Sequence, residues 1–431
     1  MSGKDLSFKL GITSDSLSSR SGLVLFGEYV NRLCLLNYAD DLFGLPGSNI
    51  GYKSSEYLLP LLLKFHGGGR HLEDIRELKS DKALIDLLEM EHISSSAALG
   101  SWLYKHGNNN GQEYLSMINR RVLSTALSSE SLEEYTLDID ATEIISGKRT
   151  ASYSYKKNKG YMPIVGHLAE NGMIVGSEFR SGNTSPSTRN YEFMLNCINN
   201  MPSGKRISSF RADSASYQSD IVNYCESNDI SYAIGGRLDS VTKELISNIP
   251  QSQWSSYYNG KFNSDDEIAE IDHIMEETPK AFRLIIKRKL ISDDLLGKEY
   301  SYHLIISNKK LQTAEEIANW YNQRGETSEN QIKELKLGYN LEKLPCNDHN
   351  ANALYFYIGH LAYNLGVMFK NNILPEEFRK SKISTIRWRL YQIAAKCVKT
   401  ARGLYCKVQT QHLELFQTIR LKIIKAPPIY I

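Results

Sequence analysis

The chain has 431 residues, of which 41% are hydrophobic and 23% are charged, and its net charge is +2. This composition is typical of a soluble globular protein with room for two or three domains, and so small a net charge does not by itself indicate a nucleic-acid partner. No apolar run approaches the length of a membrane span, and the polar start M-S-G-K-D-L-S does not resemble a signal peptide. The six cysteines have no Cys-x-x-Cys spacing, which indicates a reducing compartment and no zinc site.

The first 130 residues or so are predicted to be helical. Apolar residues recur at helical spacing in segments 22–36, 56–65 and 82–90, and three consecutive serines at 94–96 supply N-cap candidates for a further short helix. We interpret residues 1–130 as a helical domain that binds DNA or packs against the rest of the chain. Two short helices around a turn would suit a helix-turn-helix, but a helical packing domain fits the same pattern.

From residue 131 the pattern changes to strands that alternate with helices. Strands are predicted at 135–140, 161–168, 173–179, 207–210 and 230–234, and helices at about 188–200 and 216–227. Three antiparallel strands followed by alternating helix and strand predict a mixed α/β core, which we place at 131–236 and 308–375.

Two further regions flank or interrupt this core. Residues 237–307 are predicted to be a β-rich insertion, after which a capping-box pattern, Thr313 to Glu316, begins a helix. Residues 376–431 are predicted to be a basic helical C-terminal region. From residue 371 onward there are twelve Lys or Arg and three Glu, a surplus of nine positive charges that suggests a polyanionic partner.

Three carboxylates are the candidate site. The strand in Y-T-L-D-I-D-A-T directs Asp138 and Asp140 to one face, and acids on a short apolar strand are costly to bury without a cation or hydrogen bonds. Asp213 ends the strand of R-A-D-S, and strand ends of open α/β sheets face the ligand crevice. Glu329 shares a helix face with Lys333 and Lys336. Such a set suits two divalent metal ions that assist phosphodiester cleavage.

Several motifs in this order resemble one family. The stretches are G-L-V-L-F, G-G-G-R-H-L-E-D-I-R-E-L, L-D-I-D-A-T, R-S-G-N, R-A-D-S, Y-N-Q-R-G, E-x-x-I-K-E-L-K and H-L-A-Y-N-L. Together they resemble the transposases of bacterial insertion sequences with an Asp-Asp-Glu triad and a Tyr-Arg-Glu-Lys signature. The resemblance covers nearly the whole chain.

The resemblance implies a role for each matched residue. Asp140, Asp213 and Glu329 would be the catalytic, metal-binding triad, and the signature would comprise Tyr321, Arg324, Glu329 and Lys336. It also implies a ribonuclease-H-like core with a β insertion, two divalent ions (Mg²⁺, with Mn²⁺ as substitute), binding of terminal inverted repeats and target DNA, and a homodimer in the synaptic complex. We expect a cytoplasmic, nucleoid-associated prokaryotic protein. The residues expected to contact DNA are Tyr321, Arg324, Lys333, Lys336, Lys156, Lys157 and Lys159.

The spacing departs from the family at one point. Four residues separate Arg324 from Glu329, where the family usually has three, and one extra residue rotates a regular helix by about 100°. We expect either a helix break at Gly325 with Ser328 as N-cap, or a π-bulge. Without either, Arg324 or Glu329 is misassigned, and Glu326 is the weaker alternative to Glu329.

Two other functions remain open from the sequence. An aspartate-nucleophile phosphohydrolase would use Asp138 as nucleophile and Asp140 as general acid, but it leaves R-A-D-S and the segment from Tyr321 to Lys336 unexplained. A catalytically inactive DNA-binding relic or repressor would keep the fold without the reaction.

Overall fold

The N-terminal part of the chain is a group of helices preceded by one short strand. The computed structural model describes residues 7–46, 51–258, 266–294 and 297–429. The elements up to residue 128 are β1 (Ser16–Ser18), α1 (Ser21–Arg32), α2 (Leu35–Phe43), α3 (Ser55–Gly67), α4 (Ile75–Ser80), α5 (Lys82–Leu87), α6 (Ser96–Gly107) and α7 (Gly111–Ser128). The helical periodicity is thus confirmed in the described residues, whereas the proposed domain division stays a prediction.

The middle of the chain builds a large mixed sheet. Its elements are β2 (Glu134–Ala141), β3 (Ile144–Ile145), β4 (Ser152–Tyr153), β5 (Lys159–Tyr161), β6 (Ile164–Leu168), β7 (Ile174–Glu178), α8 (Asn190–Asn199), β8 (Arg206–Ala212), α9 (Ser219–Ser227) and β9 (Ser231–Gly235). Strands β7, β6 and β2 are antiparallel neighbours, whereas β2, β8 and β9 run parallel. Strands β3, β5 and β4 form a separate small sheet directly after β2. The predicted mixed α/β fold is confirmed.

The segment predicted as a β-rich insertion continues the same sheet. It contains α10 (Ser240–Ser247), β10 (Ser255–Ser256), β11 (Glu267–His273), β12 (Phe282–Asp294) and β13 (Gly297–Ser307). The last residues of β13 pair antiparallel with the end of β9, so the order is β10-β11-β12-β13-β9-β8-β2-β6-β7. An unpaired edge of β9 would expose backbone donors and acceptors, and β13 satisfies them.

The remaining elements include a long buried helix and a hairpin. They are α11 (Ala314–Asn322), α12 (Ser328–Lys333), α13 (His349–Asn372), α14 (Ile383–Ile386), β14 (Ala395–Thr400), β15 (Gly403–Val408) and α15 (Thr410–Lys425). Side chains of α13 are buried along most of its length and join those of α1, α3, α7, β2, β6 and β8 in one core cluster. This cluster links the N-terminal helices to the sheet.

The region 376–431, predicted to be basic and helical, contains two strands as well as helices in its described part. Strands β14 and β15 form an antiparallel hairpin, and β1 adds to its other side. Buried Ala395 and Cys397 alternate with exposed Lys396 and partly exposed Val398, a period of two that suits a half-buried strand. Gly403 closes the turn with a φ of +127°, which a residue with a side chain rarely adopts.

No helix in the described ranges is long and apolar enough to cross a membrane.

Candidate active site

Two of the predicted acids lie side by side at the ends of neighbouring strands. The parallel register of β2 and β8 pairs Ile139 with Ala212, and the next residues on the two strands are Asp140 and Asp213. The side chain of Asp213 accepts a hydrogen bond from the backbone amide of Ala215 at 3.1 Å, so it also caps the turn that follows. The strands therefore bring two carboxylates to one edge of the sheet.

The pKa of Asp140 is influenced by both of its predicted partners, Asp213 and Glu329. The pKa of the Asp140 carboxyl is raised to about 6: burial is the largest cause, the cation of Arg324 opposes it, and the negative charges of Asp213 and Glu329 add to it. Like charges within a few ångströms disfavour ionisation, as does removal from water. Asp213, Glu329 and Arg324 therefore all lie close enough to Asp140 to influence its charge.

Glu329 follows a break in the helix. Helix α11 ends at Asn322, a 3₁₀ turn spans Gln323–Gly325, and α12 begins at Ser328 and presents Glu329 to solvent. The expected break is therefore present, but its details differ from the expectation. The residue that precedes α12 is Thr327, and Gly325 is absent from the described glycines with positive φ.

The π-turn expected as an alternative lies elsewhere. It spans Glu334–Gly338, after Glu329, so it does not absorb the extra residue between Arg324 and Glu329. The 3₁₀ turn and the two residues after it do so instead.

A buried ion pair holds the break against the sheet. Arg211 donates two hydrogen bonds to Asp138, at 2.7 and 2.8 Å, and Thr327 donates a third at 2.8 Å. Arg211 also donates to the backbone carbonyl of Trp320 at 2.7 Å. Because Asp138 is 0% exposed and its two oxygens accept three hydrogen bonds, its role is structural. This arrangement does not favour the phosphohydrolase alternative, which needs Asp138 as an accessible nucleophile.

Arg324 and Tyr321 of the predicted signature point inward. Arg324 donates to the carbonyl of Ile139 at 3.1 Å and approaches the Tyr321 hydroxyl at 3.4 Å. Burial lowers the pKa of Arg324, but Tyr321 and the nearby aspartates more than compensate and raise it above its usual value. In this conformation both side chains support the end of β2. Their contact with DNA remains a prediction.

Of the lysines predicted to contact DNA, Lys336 lies beside the end of β2. Lys336 donates to the carbonyl of Glu143 at 2.6 Å and to the Thr142 hydroxyl at 3.2 Å, just beyond Asp140. Burial lowers the pKa of Lys336, and the charge of Lys156 contributes to that shift. Lys156, Lys157 and Lys333 are exposed, and Lys159 is partly buried on β5.

Sequence reasoning missed Arg211 and Thr327. Arg211 stands two residues before Asp213, so strand alternation directs it to the face of Asp213, and its position opposite Asp138 follows from the register. That signal was present in R-A-D-S. Nothing in the sequence indicated that Thr327 reaches Asp138.

The predicted ligands Asp140, Asp213 and Glu329 carry the oxygen atoms that a hard divalent cation prefers, but in the described structure the three carboxylates do not form a group that could hold a metal ion. Carboxylate oxygens are the ligands that Mg²⁺ and Mn²⁺ prefer. Within the part of the chain that the structure describes, no group of three or more His, Cys, Asp or Glu side chains is close enough to hold a metal ion. Asp140 and Asp213, at the ends of neighbouring strands, are the pair that would hold such a cation, and exposed Glu329 is the third candidate ligand.

Comparison with known proteins places the chain in a family. No protein of curated function matches its sequence. Among solved structures, it is similar to the cryo-EM structure of a piggyBac transposase synaptic complex with hairpin DNA, at 10% identity and a TM-score of 0.47, over 88% of this chain and 83% of that one. The family model described as transposase DDE domain group 1 matches residues 2–425. Since this match spans nearly the whole sequence, the chain belongs to the family of transposase DDE domains, group 1.

Proposed function

We propose that the protein is a transposase of a bacterial insertion sequence, which binds the terminal inverted repeats, cuts the DNA at the element end and joins the freed end to target DNA. The observation that carries this proposal is the register of β2 and β8, which sets Asp140 beside Asp213 with Glu329 within electrostatic reach. Membership of the transposase DDE family supports it. The strand order β7-β6-β2-β8-β9, with the first three antiparallel and the last three parallel, is the arrangement expected of a ribonuclease-H-like core.

The chain's own residues have separate tasks in this proposal. Asp140 and Asp213, with Glu329, would hold two divalent ions, Mg²⁺ or Mn²⁺, at the scissile phosphate. When bound, such ions supply an activated water and stabilise the negative charge of the leaving oxygen. Hydrolysis breaks the bond between phosphorus and the 3′ oxygen, and the freed 3′-hydroxyl then attacks a second phosphodiester without a covalent protein intermediate.

The residues around the triad position it and the DNA. Arg211 fixes Asp138, and with it the place where α12 begins, while Arg324 neutralises part of the charge beside Asp140. Lys156, Lys157, Lys159, Lys333 and Lys336 would bind DNA phosphates near the scissile bond, since they lie on or beside the elements that bear the acids. A homodimer that joins both element ends, and a location at the bacterial nucleoid, complete the proposal.

The test is cleavage of a labelled duplex that carries the element end, with Mg²⁺ or Mn²⁺. Wild type should cut at the repeat boundary, whereas Asp140→Ala, Asp213→Ala and Glu329→Ala should bind the duplex but cut it at least a hundredfold more slowly. Glu326→Ala is the matched control, because it removes an exposed acid from the same helix break and should keep activity.

Each other outcome has a definite meaning. Loss of cutting in Glu326→Ala with full activity in Glu329→Ala would transfer the third carboxylate to Glu326. Wild-type binding without cutting would overturn the enzymatic proposal and indicate a DNA-binding relic.

A further inference from the structure

The hairpin of β14 and β15 projects beyond the short strand that flanks it. Strand β1 pairs only with residues from Ala395 to Cys397. From Val398 to the turn and back to Tyr405, β14 and β15 form a two-stranded ribbon whose residues are mostly exposed. A ribbon of this width has the dimensions that the major groove of B-form DNA admits.

The ribbon is strongly basic. Residues 395–408 contain four cations and no carboxylate: Lys396, Lys399, Arg402 and Lys407. All four are exposed. Lys396 forms an ion pair with Asp15 at 2.7 Å, whereas the other three have no ion pair within the described ranges. Such an unbalanced surface attracts a polyanion.

Two of these lysines face each other across the ribbon. The antiparallel register pairs Lys396 with Lys407, and Val398 with exposed Tyr405 on the same face. Like charges directly opposite each other destabilise a sheet. Asp15 offsets this repulsion on the side of Lys396 alone, and an anion that lies over both ammonium groups would offset it for the whole pair.

Protection of a sheet edge does not explain this pattern. Lysines on edge strands prevent pairing with other chains, and this account suits Lys407 because β15 is the edge. It does not suit Lys396, which lies on the central strand of the three, or Arg402, which lies in the turn.

We propose that the β14–β15 ribbon is a second DNA-contacting surface, separate from the lysines around the triad, that binds the phosphate backbone of duplex DNA. The proposal rests on the proposed function, since it assumes that the protein handles DNA. Lys396 and Lys407 bind phosphates on one face, Arg402 reaches a phosphate from the turn, and Tyr405 packs between them on the sugar backbone. Contacts of this kind position a protein on DNA without selecting its sequence.

The test measures binding of the full-length protein to two fluorescent duplexes, one with the element end and one unrelated, in EDTA so that no cutting occurs. The variant is Lys396→Gln with Arg402→Gln and Lys407→Gln. Three lost phosphate contacts should weaken binding to both duplexes by roughly tenfold to a hundredfold near 150 mM salt, and reduce the slope of log affinity against log salt by about 3. The control replaces exposed Lys79, Lys243 and Lys280 by Gln, which removes the same charge elsewhere.

The outcomes separate this inference from the proposed function. Equal affinities and salt slopes in the two variants would overturn it, whether or not the wild type cuts DNA. A change in oligomeric state on sedimentation, with unchanged DNA affinity, would also overturn it and assign the ribbon to contact between two copies of the chain. A wild type that binds with the expected slope but never cuts would contradict the enzymatic proposal and leave the ribbon's role supported.

Discussion

Two buried polar clusters in this molecule differ in the partners that their ionisable groups contact. The strand-end network comprises Asp138, Arg211 and Thr327, and here a carboxylate meets a guanidinium in a two-point ion pair. The helical-body cluster comprises Lys64, His66 and the hydroxyls that they contact. In it the bases meet neutral oxygens, since Lys64 contacts the Tyr355 hydroxyl, and His66 contacts the Tyr391 hydroxyl at 3.0 Å.

The two clusters differ electrostatically because only the strand-end network pairs two opposite charges directly. Burial is the main cause that lowers the pKa of Lys64 to about 7, because the carboxylates of Asp74 and Glu73 only partly oppose it, and burial also lowers the pKa of His66 to about 3. In the strand-end network the opposite charges of Asp138 and Arg211 stabilise one another directly across two hydrogen bonds. A fixed ion pair therefore ties β2 to β8 beside the candidate site, whereas buried bases that contact hydroxyl groups occupy the helical body.

The largest effect is expected when the ion pair loses one member. Arg211→Met leaves the Asp138 carboxylate buried with only the hydroxyl of Thr327, so it should lower the free energy of unfolding by about 3–5 kcal/mol. Urea denaturation measures this change.

A double variant tests whether the stability lost in Arg211→Met is due to the uncompensated charge of Asp138. Asp138→Leu together with Arg211→Met removes both charges and should recover most of the lost stability, because no uncompensated charge remains. If the double variant is as unstable as Arg211→Met, the packing of the guanidinium and not its charge holds the strands.

The next prediction concerns Lys64 of the helical-body cluster, where a substitution is expected to raise, and not lower, the free energy of unfolding near pH 7. Lys64 is 1% exposed, and between pH 7 and pH 10 the unfolded chain binds a proton there that the folded chain releases. The contribution of Lys64 to stability therefore rises with pH in that window. Lys64→Met should be more stable than wild type near pH 7, and this advantage should shrink by about 2–3 kcal/mol by pH 9.5.

The control for this prediction is Lys79→Met, which changes an exposed lysine. Its stability difference from wild type should stay constant over the same pH range. A Lys64→Met advantage that does not change with pH would mean that the ammonium of Lys64 is charged in the folded protein.

The sequence could predict the strands that carry Asp140 and Asp213 because the signals of these strands are local. The alternation around Asp140 and the strand before Asp213 identify β2 and β8, and the rule that strand ends face the crevice brings the two acids together. The hairpin of β14 and β15 was mistaken for helix because part of its support is distant. Strand β14 pairs with β1, as in Ser16 opposite Cys397, and the sequence around β14 does not reveal a partner so far away in the chain.

The helix break between Arg324 and Glu329 was likewise only partly predictable from local sequence signals. The count of residues between Arg324 and Glu329 indicated that a regular helix could not continue, and the break is present. Its position depends on the hydrogen bond from Thr327 to Asp138, a contact between segments far apart in sequence. Propensity alone favoured Gly325 as the end and Ser328 as the cap, but this tertiary contact decided otherwise.

A smaller effect follows from that contact. Thr327→Val removes the hydroxyl that donates to Asp138, and should lower the free energy of unfolding by about 1 kcal/mol, since Arg211 still binds the carboxylate. Thr327→Ser keeps the hydroxyl and should stay close to wild type. If both variants behave alike, the hydroxyl does not determine where α12 begins.

The smallest effect is expected at Tyr321. Its hydroxyl lies 3.4 Å from Arg324, at the outer limit of a hydrogen bond, while Arg324 keeps its bond to the carbonyl of Ile139. Tyr321→Phe should therefore change the free energy of unfolding by less than about 0.5 kcal/mol. A DNA-contacting role would instead appear as weaker binding of the element-end duplex with stability unchanged. A loss of stability well above this value would show that Tyr321 belongs to the strand-end network, and that the ion pair of Asp138 does not position the site alone.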